Sequence, residues 1–323
     1  MATHGTQHLS IGVDVGGTKI AGGLVSEDGT LLGSARRESP ATDSSAIVAT
    51  IADLVEELTA TAEGAVRGIG VAAAGFVDRD RSTVLFAPNL AWRDEPLRAD
   101  LETRLKLPVV IENDANAAAW GEFRFGAGAD VDDLLLITVG TGIGGGVVLD
   151  GQLMRGGFGI GAEVGHMRVV PDGRLCGCGN HGCWEPYGSG NALVKNTRTE
   201  AAQSLLASDL VARAGGDPDD IDGPMISAAA AAGDQFAIDQ IKEIGTWLGA
   251  GIASLAAILD PTVVVIGGGV SEAGELLVGP VRETFGRLLT GRGHRPTAEI
   301  RLASLGNRAG MLGVADLART PAR

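Results

Sequence analysis

All three cysteines of the chain lie within eight positions, in the segment Glu163–Glu185 with the sequence EVGHMRVVPDGRLCGCGNHGCWE. They are Cys176, Cys178 and Cys183, and His166 precedes the first of them by ten residues. Three thiolates and one imidazole make a complete tetrahedral shell for a structural zinc ion. Interleaved glycines let the backbone turn tightly enough to aim the sulfurs at one point. The segment therefore predicts a structural Zn²⁺ site.

Two alternatives to this site come from the same residues. A disulfide would leave one of the three thiols over, and the sequence shows no secretory signal, so we expect a reducing, cytoplasmic compartment. Cysteines buried as small apolar side chains are not expected in a loop rich in glycine, asparagine and histidine. The fourth ligand stays open, because His181 is nearer in sequence to the cysteines than His166.

Two carboxylates, Glu163 and Glu185, bracket the cysteine segment. A soft metal already bound by three sulfurs and one nitrogen has no need of oxygen ligands. We therefore expect both glutamates to bind something other than the zinc ion.

The bulk composition limits the classes of function. A chain of 323 residues exceeds the usual size of a single core, which favours two domains. A net charge of −14 excludes a sequence-indifferent nucleic-acid binder and disfavours an anionic membrane surface. No apolar run free of glycine or charge is long enough to predict a membrane span. The polar first eight residues are expected to form a frayed terminus.

The first half of the chain alternates strands and helices. Residues Leu9–Gly33 predict three strands joined by a Gly-Gly turn and an Asp28-Gly29 turn. Beyond them the pattern predicts a helix over Asp43–Glu63 capped by Thr42 or Asp43, a strand Val66–Ala74, an irregular segment holding Asn89 and Trp92, a helix Glu95–Leu105, a strand Pro108–Glu112 and a helix Ala115–Phe125.

The second half opens by repeating the pattern of the first. Residues Leu134–Gly157 again predict strand, glycine turn, strand, Asp-Gly turn and strand, as a diverged duplication of Leu9–Gly33 would. After the cysteine segment the pattern predicts helices near Gly190–Ala214 and Pro224–Leu259 with an acidic connector Gly215–Asp222, a strand Thr262–Ile266, a helix Ser271–Leu289, a strand Ala298–Ala303 and a closing helix from Arg308. The fold class is α/β.

Three glycine clusters stand at predicted strand ends, where bare backbone N–H groups can approach phosphate oxygens. They are Asp14–Lys19, Thr138–Gly146 and Gly267–Gly269. No Walker sequence GxxxxGK[ST] is present. The second cluster matches GxGxxG but precedes a strand, whereas a dinucleotide-binding fold needs a helix there. Together the clusters predict a nucleotide cradle of another kind.

The motifs DVGGTK, END, TVGTGIGGG, EVGH and CGCGNHGCWEPYGSG together resemble the ROK family, in particular its bacterial glucokinases, from about Ile11 to Gly313. The resemblance implies two ribonuclease-H-like, actin-like ATPase domains around a central cleft. It places residues 1–113 and about 305–323 in a smaller domain and 114–304 in a larger one, with the zinc loop at 166–183. The final helix would return to the first domain.

The resemblance also implies a reaction, the transfer of a phosphoryl group from ATP to the 6-hydroxyl of glucose, with Mg²⁺. Asp114 would be the general base, although it could instead cap the following helix, a role open to Asn113 as well. The implied sugar-binding residues are Asn113, Asp114, Glu163, His166 and Glu185. Gly75 and Asn89 are secondary candidates for sugar binding, because they lie in a predicted loop and loops often carry function. The implied nucleotide- and magnesium-binding residues are Asp14, Gly16, Gly17, Thr18, Lys19, Thr141, Gly142, Gly267, Gly268 and Gly269.

Other functions are compatible with the same family. The sugar could be N-acetylmannosamine, fructose or mannose, and polyphosphate could replace ATP as donor. A sugar-responsive repressor is expected to carry a winged-helix segment before the kinase-like fold, whereas here a strand begins by about Leu9 and the charge is acidic. A homodimer or homotetramer is expected. Trp92 and Trp184 are predicted to be packing residues.

Overall fold

The computed structural model describes residues 8–319 of the chain. Within that range the strands are β1 (His8–Val15), β2 (Lys19–Val25), β3 (Leu31–Glu38), β4 (Ala65–Ala73), β5 (Phe76–Val77), β6 (Val84–Phe86), β7 (Arg93–Glu95), β8 (Val109–Asn113), β9 (Leu134–Val139), β10 (Ile143–Leu149), β11 (Gln152–Leu153), β12 (Val263–Gly267) and β13 (Glu299–Leu302). The helices in the same range are α1 (Ser44–Ala60), α2 (Leu97–Leu105), α3 (Asp114–Phe125), α4 (Glu185–Gly188), α5 (Gly190–Ala201), α6 (Ser208–Arg213), α7 (Gly223–Ala231), α8 (Gln235–Leu259), α9 (Glu275–Leu288) and α10 (Ala309–Arg319).

A five-stranded sheet in the order β3-β2-β1-β4-β8 carries the first glycine turn and the Asn113-Asp114 pair. The hairpins β1–β2 and β2–β3 are antiparallel, and β4 runs parallel to both β1 and β8. Alternate residues of β4 point to opposite faces. Val71 packs in the core with α1 and α2, whereas Ala72 packs with α3 and α10. Helices therefore cover both faces of this sheet.

Helix starts in the first half follow their capping residues. The carboxylate of Asp43 accepts a hydrogen bond from the Ala46 N–H, so Asp43 rather than Thr42 caps α1. The helix expected to begin at Glu95 begins at Leu97 instead, because Glu95 ends β7 and Pro96 occupies the cap position. The expected frayed terminus falls mainly outside the described residues, and its last member, His8, begins β1.

The segment predicted to be irregular after β4 contains a small antiparallel sheet, β5-β6-β7. Its strands have two or three residues each, which is too short for a period-two pattern to be recognised. Trp92 is fully buried beside this sheet, and Trp184, which directly precedes α4, is also fully buried. The packing role predicted for both tryptophans is therefore confirmed.

The second large sheet has the order β11-β10-β9-β12-β13, the same arrangement of a three-stranded unit followed by two further strands. β10 and β11 are antiparallel, and β12 and β13 are parallel. The repeated strand order is what a duplication of the Leu9–Gly33 unit would leave. The third strand of the copy is reduced to Gln152–Leu153.

The prediction of two continuous long helices between the cysteine segment and β12 is wrong, because each is interrupted. The region divides into α5, α6, α7 and α8, with the 3-10 turn Leu205–Ala207 between α5 and α6, and α6 begins without a side-chain cap. Asp222 caps α7 by accepting from the Met225 N–H, and Asp234 caps α8 by accepting from the Ala237 N–H. Gly233, with φ of +91°, ends α7 just before that cap.

Helix α8 is the one helix among the described residues that is long and apolar enough to span a membrane, with a mean hydropathy of 1.2. More than half of that apolar window, 56%, is buried inside the protein. Such burial is typical of the core helix of a globular fold, and α8 packs against α7, α9 and α5.

Packing divides the chain into two compact units. One contains the described residues up to Leu136 together with Gly146–Ala162 and the chain from Ala303 onward. The other contains Ile137–Gly145 and Glu163–Leu302. The domain boundaries derived from the family resemblance stay a prediction, because these units are defined by contacts alone.

Candidate active site and metal centre

The ligand atoms of His166, Cys176, Cys178 and Cys183 all lie within 4.8 Å of one another. The Cys178 and Cys183 sulfurs are 3.7 Å apart, and the Cys176 sulfur is 3.6 Å from His166 Nδ1. A tetrahedral Zn²⁺ with ordinary Zn–S and Zn–N bonds requires these edges to be about 3.8 Å and about 3.6 Å. Two edges therefore match a tetrahedral zinc site, and the four side chains fit a zinc ion in number, type and proximity.

Of the two histidines considered as fourth ligand, the structure places His166 in the cluster. It ends the short 3-10 helix Val164–His166. His181 is exposed, and its Nδ1 lies 3.0 Å from the carbonyl oxygen of Gly173. A backbone bridge between Leu175 and His181 closes the cysteine loop, and His181 is not among the residues whose ligand atoms come together.

The electrostatic environment of the cysteines differs from site to site. Burial raises the pKa of Cys176 to about 12 and also raises the pKa of Cys183. The backbone N–H of Asn180 lowers the pKa of Cys178. Two of the three thiols thus resist ionisation in this loop, and a divalent cation is the group that would hold them as thiolates.

The glutamates that bracket the cluster have separate surroundings. Burial raises the pKa of Glu163, an effect that the nearby His166 opposes. Glu185 Oε2 accepts a hydrogen bond from the Ile143 N–H at 3.0 Å, and its Oε1 lies 3.8 Å from the Cys176 sulfur. Glu185 therefore connects the cysteine loop to the second glycine turn, a contact that its sequence position did not suggest.

The second glycine turn joins β9 to β10 and is closed by its own backbone. The Gly140 N–H donates to the Gly142 carbonyl at 3.0 Å, and the Gly190 N–H donates to the Gly140 carbonyl at 2.8 Å. Gly190 is the first residue of α5, so the positive end of that helix lies at the turn and favours an anion there. Gly268 of the third cluster packs against the backbone of Val139 at the end of β9.

The first glycine turn lies between β1 and β2. The Gly16 N–H donates to the Lys19 carbonyl at 2.9 Å and closes it. Burial raises the pKa of Asp14, and the charge of Lys19 acts in the opposite direction. A Cβ on Gly17 would lie 3.1 Å from the Asn89 carbonyl oxygen, so the Asn89 loop packs closely against this turn and would have to shift by a few tenths of an ångström to admit a side chain.

The Asn113-Asp114 pair lies where β8 passes into α3. Asn113 Oδ1 accepts from the Asn116 N–H at 3.0 Å and caps the helix. Its Nδ2 donates to the Gly75 carbonyl at 3.1 Å. Of the two residues considered for the cap, Asn113 therefore fills it, and Asp114 is the first helical residue, with Oδ1 accepting from the Ala115 N–H at 2.9 Å.

The structure thus gathers the predicted residues into two groups, each within one compact unit. The first unit contains Asp14, the first glycine turn, Gly75, Asn89, Asn113 and Asp114. The second contains the cysteine cluster, Glu163, Glu185, the third glycine cluster and the second glycine cluster as far as Gly145. The ROK family model matches residues 10–321. The chain belongs to the ROK family. The resemblance carried by the five motifs is confirmed.

This ROK protein is 50% identical over 314 residues to a glucokinase of Streptomyces coelicolor, covering 97% of this chain and 98% of that relative. A crystal structure of a ROK family glucokinase from Streptomyces griseus, in complex with glucose and AMPPNP, matches with 51% identity and a TM-score of 0.85, over 96% of this chain and 99% of that one. The xylose repressor of Bacillus subtilis is 30% identical over 95% of this chain and 76% of its own length. These similarities confirm the predicted α/β fold class.

One group in the ROK protein was not assigned a role from the sequence. Glu112, inside the END motif, is fully buried and lies between the guanidinium groups of Arg81 and Arg155. An acidic residue in an otherwise apolar strand is a signal that a partner must exist. Its partners, 31 and 43 residues away, cannot be identified without the fold.

Proposed function

We propose that this ROK protein is an ATP-dependent glucokinase that phosphorylates the 6-hydroxyl of glucose. The observation that carries the proposal is its similarity, over nearly the whole of both chains, to the Streptomyces griseus glucokinase solved with glucose and AMPPNP. Phosphoryl transfer needs a base aligned with the acceptor hydroxyl, a cradle for phosphates and a metal ion. Each requirement has a candidate group among the described residues.

Asp114 is the proposed general base. It follows strand β8 as the first residue of α3, and the residue that caps this helix is Asn113 rather than Asp114. A carboxylate in this position can accept the proton of a sugar hydroxyl as that oxygen attacks.

The phosphate cradle is proposed to form from the glycine turns. Mg²⁺, when bound, would offset the negative charge of the transferring phosphoryl group, and Asp14 would hold it directly or through water. The proposed phosphate and nucleoside contacts are Gly16, Gly17, Thr18, Lys19, Thr141, Gly142, Gly267, Gly268 and Gly269.

The proposed sugar contacts combine carboxylates, an amide and an imidazole. His166 Nδ1 faces the Cys176 sulfur, which leaves Nε2 to donate to a sugar hydroxyl. A zinc ion bound by His166, Cys176, Cys178 and Cys183 would thereby fix a sugar contact as well as the loop. The other proposed sugar contacts are Gly75, Asn89, Asn113, Asp114, Glu163 and Glu185.

The remaining points belong to the same proposal. We propose a cytoplasmic homodimer or homotetramer with no nucleic-acid or membrane partner. The charge of −14 supports the last two points.

A coupled assay of ADP release over a panel of sugars tests the proposal. With ATP and Mg²⁺, glucose is expected to give the highest kcat/KM, above N-acetylmannosamine, fructose and mannose, and polyphosphate is tested as a second donor. A higher value for another hexose would replace the substrate while keeping the class. No turnover with any sugar, together with sugar-dependent binding to DNA, would favour a regulator, a class to which the Bacillus subtilis relative belongs by name.

A further inference from the structure

Glu112 holds the turn from which Asn113 and Asp114 project. Its side chain is 0% exposed. Glu112 Oε1 accepts from the Asn113 N–H at 2.9 Å and from Asn116 Nδ2 at 3.2 Å. The carboxylate therefore bonds to the residue on one side of Asp114 in the chain and to the first turn of α3 on the other.

Two guanidinium groups hold Glu112 in turn. Arg81 Nε lies 3.0 Å from Oε2, and Arg155 Nε lies 2.8 Å from Oε2 and 3.1 Å from Oε1. The arginine side chains are only 16% and 9% exposed. The free energy needed to remove three charged groups from water can exceed the attraction between them, so such a cluster is weak evidence for a stabilising role.

Arg155 uses its whole guanidinium fork. Besides Glu112, it donates from Nη1 to the Arg79 carbonyl at 2.7 Å and from Nη2 to the Asp78 carbonyl at 2.9 Å. It follows β11 by two residues in the chain, and it thus fastens a distant segment to the turn after β5 and to the end of β8. A planar fork that satisfies three acceptors fixes direction as well as charge.

The same unit contains a second cluster of the same design away from the Asn113-Asp114 turn. Asp316 in α10 is 7% exposed and lies between Arg124, at 3.0 Å, and Arg319, at 2.9 Å. Arg319 is 11% exposed and also donates to two carbonyls, those of Val25 and Ser26. Arg155 and Arg319 therefore match in burial, in carboxylate partner and in the two backbone acceptors.

We propose that Arg155 is a positioning residue for Asp114. Through Glu112 it sets the direction in which the strand-to-helix turn presents the Asp114 carboxylate, without touching substrate itself. The inference rests on the proposed function, in which Asp114 accepts the proton of the sugar hydroxyl. Displacing a catalytic group by about 1 Å can lower the rate about 100-fold.

The test compares Arg155→Met with Arg319→Met. Methionine keeps most of the apolar stem, and in each variant the carboxylate keeps one arginine, Arg81 for Glu112 and Arg124 for Asp316. Arg155→Met is expected to lower kcat about 100-fold with the KM for ATP nearly unchanged, and Arg319→Met to lower kcat less than about threefold. Melting temperatures are expected to fall by similar amounts. An equal kcat for the two variants would overturn the proposal.

Asp114→Asn in the same assay distinguishes a failure of the positioning role of Arg155 from a failure of the proposed general base on which it rests. If Asp114→Asn retains wild-type kcat, the assignment of the base fails, and the positioning role fails with it. If Asp114→Asn is inactive while Arg155→Met equals its control, the positioning role alone fails. Should Arg155→Met not fold, Arg155→Lys against Arg319→Lys gives the same comparison, because lysine keeps the charge but loses the fork.

Discussion

Replacing Gly142 by alanine should break the link between the second glycine turn and the cysteine loop. A Cβ at this position would come nearer than 3.0 Å to Glu185 Oε2, which is closer than real Cβ contacts. Either the turn or Glu185 must move, and the 3.0 Å bond from the Ile143 N–H to Glu185 is lost. A hydrogen bond to a charged group contributes about 1.5–3 kcal/mol. If the proposed site depends on it, kcat/KM should fall by about tenfold to about 150-fold.

The effect is expected for both substrates, because the broken contact joins a proposed phosphate-binding turn to a proposed sugar-binding carboxylate. Coupled kinetics with glucose and with ATP varied in turn would measure it. Gly279→Ala is the matched control, since Gly279 lies in α9 and a Cβ there meets nothing within 4 Å. A Gly142→Ala enzyme whose kcat/KM values equal those of Gly279→Ala would refute the reasoning.

Two further predictions concern the metal and a buried acid. Removing zinc with a chelator should raise the KM for glucose or inactivate the enzyme, and His166→Ala should lower the zinc content measured by atomic absorption while His181→Ala should not. Unaltered kinetics in verified zinc-free protein, or zinc loss from the His181 variant alone, would contradict the site. Burial raises the folded-state pKa of Asp14 above its ordinary value of 3.8. At pH values between 3.8 and the folded-state pKa, the folded protein therefore binds more protons than the unfolded chain. The free energy of unfolding consequently falls as the pH rises through this range. In urea unfolding without Mg²⁺, Asp14→Asn should therefore be more stable than wild type at pH 7, by a margin that shrinks toward pH 3.8, and its kcat should fall by orders of magnitude. Equal stability at both pH values would contradict the assigned cost of burial.

Sequence patterns were sufficient to predict the structure wherever the contacts that determine it join residues close together in the chain. The glycine turns and the Asp-Gly turns predicted the hairpins of both large sheets, because they specify their own backbone geometry. The cap of α1 at Asp43 was one of two candidates. The cysteine spacing predicted a metal cluster that the fold brings together, and only the choice between His166 and His181 needed the structure.

Contacts between distant residues could not be predicted in this way. Neither the Glu112–Arg155 pair nor the Glu185–Ile143 bond has a sequence pattern, since each depends on how separate segments meet. The two- and three-residue strands β5, β6 and β7 are held by their neighbours rather than by any periodicity of their own. The break before α8, inside the predicted helix Pro224–Leu259, depends on which of many aspartates acts as a cap.

The most direct test of the account is the Asp114→Asn variant assayed for glucose phosphorylation and for glucose binding. Asparagine keeps the shape of the first residue of α3, and Asn113 still caps the helix. We expect kcat to fall by orders of magnitude while the calorimetric Kd for glucose and the melting temperature stay close to wild type. Turnover near the wild-type rate, or a loss of folding equal to the loss of activity, would contradict the role of Asp114 as the general base.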